Sequence, residues 1–227
     1  MLYNRGMRSY GQYCALAKAL DVLGDRWTLL IVRELMLGGP SRYTDLRNGL
    51  PGIATNLLSE RLRELEAAGV VAREQAPPPV ATTLFSLTER GEALRPVLDE
   101  LGTWGVPYMA EGPAPGDAFR GRWLGWPAER FLTDSEPDRA PVSVELRTGE
   151  DAGEDAVVVE THDGAVRARA AVAGERPDAL LSGSPHAILG LLTGQIDVAE
   201  ARRRGLRVEG DEGALARLRP AAAAAAS

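Results

Sequence analysis

The chain has 227 residues, and its 26 basic and 32 acidic side chains give a formal net charge of −6 at pH 7. Hydrophobic residues make up 44% of the sequence and charged residues 26%, a balance typical of a soluble globular protein. One cysteine, Cys14, excludes an intramolecular disulfide, and together with two histidines it leaves too few ligands for a structural zinc site. We therefore expect neither a metal nor another cofactor.

The sequence has no signal for a membrane or for export. No apolar run approaches the ~20 residues that cross a bilayer, and residues 1–10 lack the hydrophobic stretch of a signal peptide. A single cysteine is also typical of a reducing compartment. These features predict a cytoplasmic protein with no membrane-spanning segment.

Charge and composition differ between the two halves of the chain. Residues 1–110 carry 12 basic and 12 acidic side chains, whereas residues 111–227 carry 14 and 20, so the negative excess lies in the second half. A stretch rich in proline and glycine, residues 111–117, separates the two patterned regions. We predict two domains, 1–110 and 111–227.

Helical periodicity dominates the start of the first half. Apolar residues at three- and four-residue intervals predict an amphipathic helix over residues 10–23, which ends at Gly24. Asp25 is in position to cap a second helix over residues 26–37. Apolar side chains lie on nearly every side of that segment, so we expect it to be a central, buried helix.

The next segment has the pattern of a helix-turn-helix. Ser41 is expected to cap a short helix over residues 42–48, and a glycine-bearing turn over residues 49–52 leads to a helix over residues 54–68. In a helix-turn-helix the second helix enters the major groove of DNA. Two packed helices with no role in nucleic-acid binding are the alternative interpretation.

A hairpin follows, which makes the predicted domain a winged helix. Residues 70–74 and 83–87 have the pattern of strands, and the proline-rich residues 75–82 connect them. Thr88 is expected to cap a long helix over residues 88–109. A hairpin in this position lies against the recognition helix and can touch the DNA backbone or the minor groove.

The second helix of the helix-turn-helix has two faces when its residues are placed at about 100° per residue. Leu58, Leu62 and Leu65 point inward, and the opposite face carries amide, hydroxyl and guanidinium groups, which suit the edges of bases. An ordinary solvated helix face is the alternative. The predicted DNA-binding residues are Arg42, Arg47, Thr55, Asn56, Ser59, Arg61 and Arg63.

The first half resembles one protein family over about residues 10–105. The segments that carry the resemblance read CALAKALDVLGDRWTLLIVREL, RYTDL, LPGI, LSERLREL, SLT and LRPVL. They are similar to the HxlR-type winged-helix regulators, relatives of the MarR group. The resemblance implies a homodimeric transcription factor that binds double-stranded operator DNA of pseudo-palindromic sequence. It also implies dimerisation through the helices predicted at residues 10–23 and 88–109.

One feature of the residues agrees with a dimer, and one departs from the family. The helix predicted over residues 88–109 carries an apolar stripe too large for packing inside its own domain, and self-association is one way to cover it. Residues 76–83 of the wing carry no charge, and Thr82 stands where the family commonly has a basic residue. We therefore expect weak phosphate contacts from the wing. The stripe consists of Leu94, Val97, Leu98, Leu101, Trp104 and Tyr108.

Cys14 matches a cysteine found near the first helix in many members of the family, where in some it senses oxidants or electrophiles. Lys18 follows one helical turn later, near enough to favour the thiolate. A lone cysteine in a helix is more often a small buried hydrophobe, and that alternative stays open.

The second half predicts an α+β domain. Segments 142–147, 156–161 and 165–172 have the pattern of antiparallel strands, with a hairpin turn at Asp163-Gly164. Asp197 is expected to cap one of the helices. The other predicted elements are helices over residues 118–132, 184–193, 197–204 and 212–218 and strands over residues 179–182 and 206–209.

One stretch of this half resembles the sterol carrier protein fold. It reads LLSGSPHAILGLLTGQID over residues 180–197 and continues with GLRVEG over residues 205–210. The resemblance, over about residues 140–219, implies a sheet and helices that enclose an apolar tunnel for lipids or other hydrophobic molecules. Packing of the aromatic rings against the sheet or a partner subunit is the alternative. The predicted ligand-binding residues are Trp123, Trp126, Phe131, Ile188, Leu191 and Leu192.

No catalytic residues are predicted, since neither His162 nor His186 stands beside a nucleophile motif. The acidic residues 150–155 lack the spacing of a calcium loop, and residues 221–226 are a low-complexity alanine run. The predicted fold class is α+β, with an N-terminal winged helix-turn-helix domain and a C-terminal sterol-carrier-like domain. We expect a dimeric DNA-binding regulator, not an enzyme, whose second domain senses a hydrophobic effector. The alternatives are a regulator that responds to oxidants through Cys14 and a lipid carrier that does not bind DNA.

Overall fold

The structure is a computed structural model that describes residues 9–77, 82–149 and 155–221. Two compact units divide the chain, Met1–Val106 and Pro107–Ser227. The tip of the predicted wing, nearly all of the acidic run and the alanine run from residue 222 onward lie outside the described residues. None of the helices in the described ranges is both long enough and apolar enough to cross a bilayer.

The first unit has the winged helix-turn-helix fold that the sequence predicts. Strand β3 pairs antiparallel with β1 on one side and with β2 on the other. The elements in the described residues are the helices α1 (Ala15–Leu23), α2 (Thr28–Gly38), α3 (Tyr43–Gly49), α4 (Thr55–Ala67), α5 (Glu89–Glu92) and α6 (Arg95–Gly105) and the strands β1 (Ser41–Arg42), β2 (Val71–Gln75) and β3 (Thr83–Leu87).

Helix α2 forms the centre of the core in this unit, as predicted. Ile31, Val32 and Leu35 are buried, and they belong to one apolar cluster with the three leucines that α4 turns inward. A spacing of three and four residues places those leucines on one side of α4. The opposite side of α4 is therefore left for solvent.

The start of α1 differs from the prediction. The helix begins at Ala15 and not at residue 10, because the preceding segment makes other hydrogen bonds. The buried carboxylate of Asp21 accepts the hydroxyl of Ser9 (3.0 Å) and the backbone N–H of Tyr10 (2.8 Å). These bonds hold the residues before the helix against its side.

The caps of α2 and α3 also differ from the prediction. Asp25 accepts the N–H of Thr28 through its backbone carbonyl (3.1 Å), so no side-chain cap begins α2. The hydroxyl of Ser41 donates to the carbonyl of Gly39 (3.0 Å) and does not cap α3. Arg42 occupies that cap position.

The long helix predicted over residues 88–109 is interrupted. Thr88 caps α5 as predicted, since its hydroxyl oxygen accepts the N–H of Gly91 (3.1 Å). Helix α5 ends after one turn, and Pro96 lies in the first turn of α6, where its missing N–H costs no hydrogen bond. A 3-10 turn, Val106–Met109, follows α6.

The second unit is built on a mixed sheet with the strand order β7-β6-β5-β8-β9. Strands β5 and β8 are parallel, and the other neighbours are antiparallel. A separate antiparallel pair joins β4 and β10. The elements are α7 (Gly125–Phe131), α8 (Pro185–Leu192), α9 (Val198–Arg203), α10 (Glu212–Arg217), β4 (Leu132–Asp134), β5 (Ser143–Thr148), β6 (Val157–His162), β7 (Ala165–Ala170), β8 (Ala179–Gly183), β9 (Arg207–Gly210) and β10 (Leu218–Pro220).

In the second half, the predicted turn and helix cap agree with the structure better than the helix predicted over residues 118–132. The turn at Asp163-Gly164 is confirmed, with φ angles of 49° and 76°. Asp197 caps α9 as predicted, because its carboxylate accepts the N–H of Glu200 (2.7 Å). The single helix predicted over residues 118–132 is instead a 3-10 turn, the short helix α7 and strand β4, since β4 is extended by its pairing with β10.

A buried ion pair joins α10 to β4. The guanidinium of Arg217 binds both carboxylate oxygens of Asp134, with Nη2–Oδ2 at 2.7 Å and Nε–Oδ1 at 3.1 Å. Arg217 also donates to the backbone carbonyls of Ala140 (2.6 Å) and Glu136 (3.0 Å). The hydrogen bond from Arg217 is the main cause that lowers the pKa of the Asp134 carboxyl, although burial acts the other way.

This pair should make the stability of the second unit depend on acid. A carboxyl whose pKa is lower in the folded state stabilises that state above its unfolded pKa of about 4, and the stabilisation is lost as the pH falls through the folded pKa. Asp134→Asn leaves Arg217 without its buried partner and should lower the free energy of unfolding at pH 7 by about 3–5 kcal/mol. The free energy of unfolding of this variant should also fall less than that of the wild type as the pH is lowered below 4. Chemical denaturation at pH 7 and pH 3 measures both effects, and the control is Asp138→Asn, an exposed carboxylate. Equal effects of the two variants would contradict the prediction.

Candidate nucleic-acid interface and ligand cavity

Helices α3 and α4 are joined at the N-terminal end of α4. The hydroxyl of Tyr43 in α3 donates to the carbonyl of Thr55 (2.7 Å). The hydroxyl of Ser59 lies 3.0 Å from the same carbonyl and 3.3 Å from Oη of Tyr43. The first turn of α4 is thereby fixed to α3. The sequence analysis did not single out Tyr43, whose apolar ring carries a polar tip that finds a partner here.

The outward side of α4 exposes the polar groups that the sequence predicts there. Asn56, Ser59 and Arg63 follow at intervals of three and four residues, so they share one face of the helix. The guanidinium of Arg63 makes one hydrogen bond, from Nε to the carbonyl of Ser59 (3.4 Å). The predicted DNA-binding residues that are exposed are Arg42, Arg47, Thr55, Asn56, Ser59 and Arg63.

Arg61 has surroundings different from those of the other predicted DNA-binding residues. Its side chain is only 14% exposed, and its guanidinium is paired with Asp25, with Glu64 (2.6 Å) and with Glu60 (3.5 Å). Asp25 lies 36 residues earlier, in the turn between α1 and α2, which no helical wheel of α4 reveals. Burial raises the pKa of Glu64, and the charge of Arg61 opposes that shift.

The wing adds a cation that sequence reasoning did not single out. Arg73 in β2 is exposed. The base of the hairpin is closed by the N–H of Ala76, which donates to the carbonyl of Thr82 (2.7 Å). The tip, residues 78–81, is outside the described residues, so weak phosphate contact by the wing remains a prediction.

Cys14 is exposed, at the position just before the first residue of α1, so the alternative of a cysteine buried within its own unit is not what the structure has. The backbone N–H groups of Ala17 and Leu16, at the start of α1, are the main cause that lowers the pKa of the thiol. Lys18 does not supply this shift, because its ammonium group binds the carboxylate of Asp21 (3.3 Å). The start of the helix, and not a neighbouring cation, therefore favours the thiolate.

Large apolar side chains are exposed on α1 and α6. Leu16 and Leu20 share one face of α1, and α6 carries a similar row. Two members of the predicted stripe, Leu94 and Leu98, pack instead against the core of their own unit. The exposed apolar residues of α1, α6 and the segment before α1 are Tyr10, Tyr13, Leu16, Leu20, Val97, Leu101 and Trp104.

A cavity of about 450 Å³ lies in the second unit. One wall is the inward face of the sheet, which contributes Val144, Leu146 and Leu181. The opposite walls come from the end of α8 with the segment after it, and from α10 with β10. The one buried polar side chain in the lining, Thr193, donates its hydroxyl to the carbonyl of Leu189 (2.8 Å), so the interior is apolar.

The cavity contains two of the six predicted ligand-binding residues, Leu191 and Leu192. The other four are not part of its lining. Trp126 packs edge-on against Phe131 with ring centres 5.5 Å apart. Trp123 packs in the same way against Phe119 at 5.9 Å, and Ile188 is fully buried in the core. The rings of Trp123 and Trp126 therefore pack against other rings of the same unit.

The two histidines have surroundings unlike those of a catalytic or metal site. His162 lies beside Asp163, with Nδ1–Oδ2 at 3.0 Å and both side chains exposed. Nε2 of His186 lies 3.5 Å from Nη1 of Arg204. Across the described ranges, no three potential metal ligands come together.

The fold and the exposed face of α4 define a transcriptional regulator of the winged helix-turn-helix class, and comparison with known proteins identifies the family. Residues 22–113 match the HxlR-like helix-turn-helix family. The uncharacterized HTH-type transcriptional regulator YvaP of Bacillus subtilis is 41% identical over 92 residues, which cover 40% of this chain and 84% of YvaP. The HTH-type transcriptional regulator YodB of the same organism is 36% identical over 94 residues, which cover 41% of this chain and 83% of YodB. The chain belongs to the HxlR-like helix-turn-helix family.

Solved structures of YodB are also similar. The reduced form of YodB is 34% identical, and the match covers 47% of this chain and 100% of the YodB chain with a TM-score of 0.38. The diamide-treated form is 35% identical, covers 43% of this chain and 96% of its own, with a TM-score of 0.37. The family match ends at residue 113, so most of the second unit lies beyond the matched residues.

Proposed function

We propose that this protein is a homodimeric regulator that binds operator DNA through α3 and α4 and senses a hydrophobic molecule with its second unit. The observation that carries the DNA-binding part is the row of Asn56, Ser59 and Arg63 on the exposed face of α4. In the major groove an asparagine amide matches adenine, an arginine guanidinium matches guanine, and a hydroxyl can serve either. The family of transcriptional regulators to which the chain belongs supports the same function.

The charges of α4 provide little general electrostatic attraction to DNA, so specific contacts with bases carry more of the binding. Helix α4 contains two arginines and three glutamates, and one of the arginines is engaged within the protein. Arg42, at the cap of α3, and Arg47, within α3, are exposed and in our proposal contact phosphates. Few phosphate contacts imply modest affinity with a shallow dependence on salt.

Dimerisation follows in this proposal from the exposed apolar residues of α1, α6 and the segment before α1. Exposed apolar surface of this kind marks sites of association. A two-fold dimer places two recognition helices on successive major grooves, about 34 Å apart. A pseudo-palindromic operator has the matching symmetry.

Substitutions on the exposed face of α4 test the DNA contact. Arg63→Ala and Asn56→Ala should each lower specific binding by about 1–3 kcal/mol, because each removes a base-edge contact. Arg42→Ala should weaken binding to all sequences alike. Fluorescence anisotropy on the upstream intergenic DNA and on random DNA, at one salt concentration, measures both effects, with the exposed Arg90→Ala as control. If Arg63→Ala leaves discrimination intact, this face does not read the operator. Wild-type protein with no preference for any such DNA would favour the lipid-carrier alternative.

The sensing part of the proposal rests on the cavity in the second unit. Its volume of about 450 Å³ is within the range of small-molecule sites. Its apolar lining, with its buried hydroxyl already hydrogen bonded, suits a ligand whose buried part has no polar groups. A sheet and helices around an apolar cavity are what the sterol-carrier-like resemblance implies, so the resemblance supports this site.

A cavity-filling substitution tests the ligand site. Leu191 lines the cavity, and Leu191→Phe adds a ring to it, so this variant should fold but lose ligand binding. At 100 times its dissociation constant, a ligand stabilises the wild type by about 2.7 kcal/mol, which thermal unfolding detects. The probes are a panel of fatty acids, sterols and polyketides, and the control is Val172→Phe at an exposed position. No shift with any compound, together with no copurified molecule in mass spectrometry, would remove the sensing role.

A second candidate signal is oxidation at Cys14. The thiol is exposed and its pKa is lowered, and both properties favour reaction with an oxidant. Structures of the relative YodB have been solved in its reduced form and after diamide treatment. This signal does not need the second unit.

Diamide treatment separates the two signals. If Cys14 is the sensor, diamide should change operator affinity of the wild type and leave Cys14→Ser unaffected. Because the chain has one cysteine, any disulfide between protein chains joins two copies and gives a covalent dimer on non-reducing gels. An identical response of wild type and Cys14→Ser to diamide would exclude this candidate.

A further inference from the structure

Arg61 is the centre of a charge cluster that joins two parts of the first unit. Its guanidinium pairs with Glu60 and Glu64 of its own helix, α4, and with Asp25 in the turn between α1 and α2. The ion pair with Asp25 is therefore the polar connection in this cluster that leaves the recognition helix. We name this connection the Asp25–Arg61 link.

The cluster is built to hold Arg61 inside the protein. Three carboxylates surround one guanidinium, so a phosphate approaching Arg61 would meet an excess of negative charge. Arg63, two residues later, is exposed, and its Nε donates to the backbone carbonyl of Ser59 in its own helix. The two arginines of α4 thus have separate tasks, one within the protein and one at its surface.

Directional contacts add to apolar packing in fixing the orientation of α4: the Tyr43 bonds hold its first turn, and the Asp25–Arg61 link holds its flank. Leu58, Leu62 and Leu65 make non-directional apolar contacts along one row of the helix. A directional ion pair on the flank of the helix resists its rotation more strongly than these contacts do. A small rotation of α4 would turn Asn56 and Ser59 away from the bases. The Asp25–Arg61 link lies on the flank, where it opposes that rotation.

The link also connects α4 to the helix whose exposed residues we assign to the dimer. Asp25 follows the end of α1 by two residues, and α1 carries Leu16 and Leu20 on its exposed face. We infer that Arg61 is a positioning residue, which sets the orientation of α4 relative to α1 and thereby the spacing of the two recognition helices in the dimer. This inference rests on the proposed DNA binding and dimerisation.

The test compares operators whose half-sites are separated by zero, one or two additional base pairs. Asp25→Asn removes the charge of the link with little change in shape. It should weaken binding to the natural operator by roughly fivefold, the factor for the upper range of a partly exposed ion pair. Binding to the lengthened operators should fall less, so that the preference for one spacing becomes flatter. Affinity for random DNA should stay unchanged.

Two further variants distinguish positioning from a general loss of stability. Glu60→Gln removes a carboxylate from the same guanidinium but leaves the link to Asp25, so its spacing preference should equal that of the wild type. Asp25→Glu keeps the carboxylate of the link, so it should retain the spacing preference that Asp25→Asn loses. Thermal unfolding of every variant checks that it is folded at the temperature of the binding measurement.

Three outcomes would overturn the inference. One is a spacing preference of Asp25→Asn equal to that of the wild type. Another is an equal flattening by Glu60→Gln. A third is tighter binding of Asp25→Asn to random DNA, which would show that Arg61 is a phosphate ligand restrained by Asp25. Wild-type protein that binds no operator would overturn the proposed function as well, whereas the first three outcomes leave that function in place.

Discussion

The burial of three leucines of α4 in the core of the first unit is the constraint on which the rest of that unit depends. Because Leu58, Leu62 and Leu65 occupy one side of the helix, the amide, hydroxyl and guanidinium groups between them must lie on the other side. The same burial carries Arg61 to the flank, where Asp25 can reach it. One apolar row thus determines both the surface that we propose for DNA binding and the place of the ion pair that we propose to orient it.

The two units solve different physical problems. The first has a core of its own and still exposes large apolar residues on α1 and α6, which is typical of a surface that a second copy covers. The second has a sheet whose inner face is only partly filled by helices, so that an apolar cavity remains. A ligand in that cavity can regulate DNA binding only if it prefers one arrangement of the dimer, since a ligand shifts an equilibrium only by its difference in affinity for the two states.

Much of the fold could be predicted from the sequence, because periodicity and capping act over short distances. The winged helix, the central position of α2, the Thr88 and Asp197 caps and the Asp163-Gly164 turn all depend on residues within a few positions of one another. The failures come from distant partners. Asp21 draws the segment before α1 out of the helix, and pairing with β10 makes β4 a strand.

The candidate sites follow the same rule. The exposed face of α4 could be predicted from a helical wheel. The ion-pair partner of Arg61 could not, because Asp25 lies in the turn between α1 and α2. The aromatic residues near α7 suggested a pocket, but in the structure they pack edge to face against one another within the unit. The apolar part of the cavity lining comes instead from aliphatic side chains of the sheet and the C-terminal elements. A helical wheel contains no information on which rings find each other.

The contact between α4 and the major groove is the central claim, and a tethered DNA-cleaving group tests it most directly. A Ser59→Cys variant in a Cys14→Ser background has one thiol, to which an iron chelate that cuts nearby DNA can be attached. We expect cleavage of the operator at two positions about one helical turn, or 10 base pairs, apart, one for each recognition helix of the dimer. The same label on exposed Val97, which we assign to the dimer, should give no localised cleavage. Localised cleavage from Val97 with none from Ser59 would contradict the account.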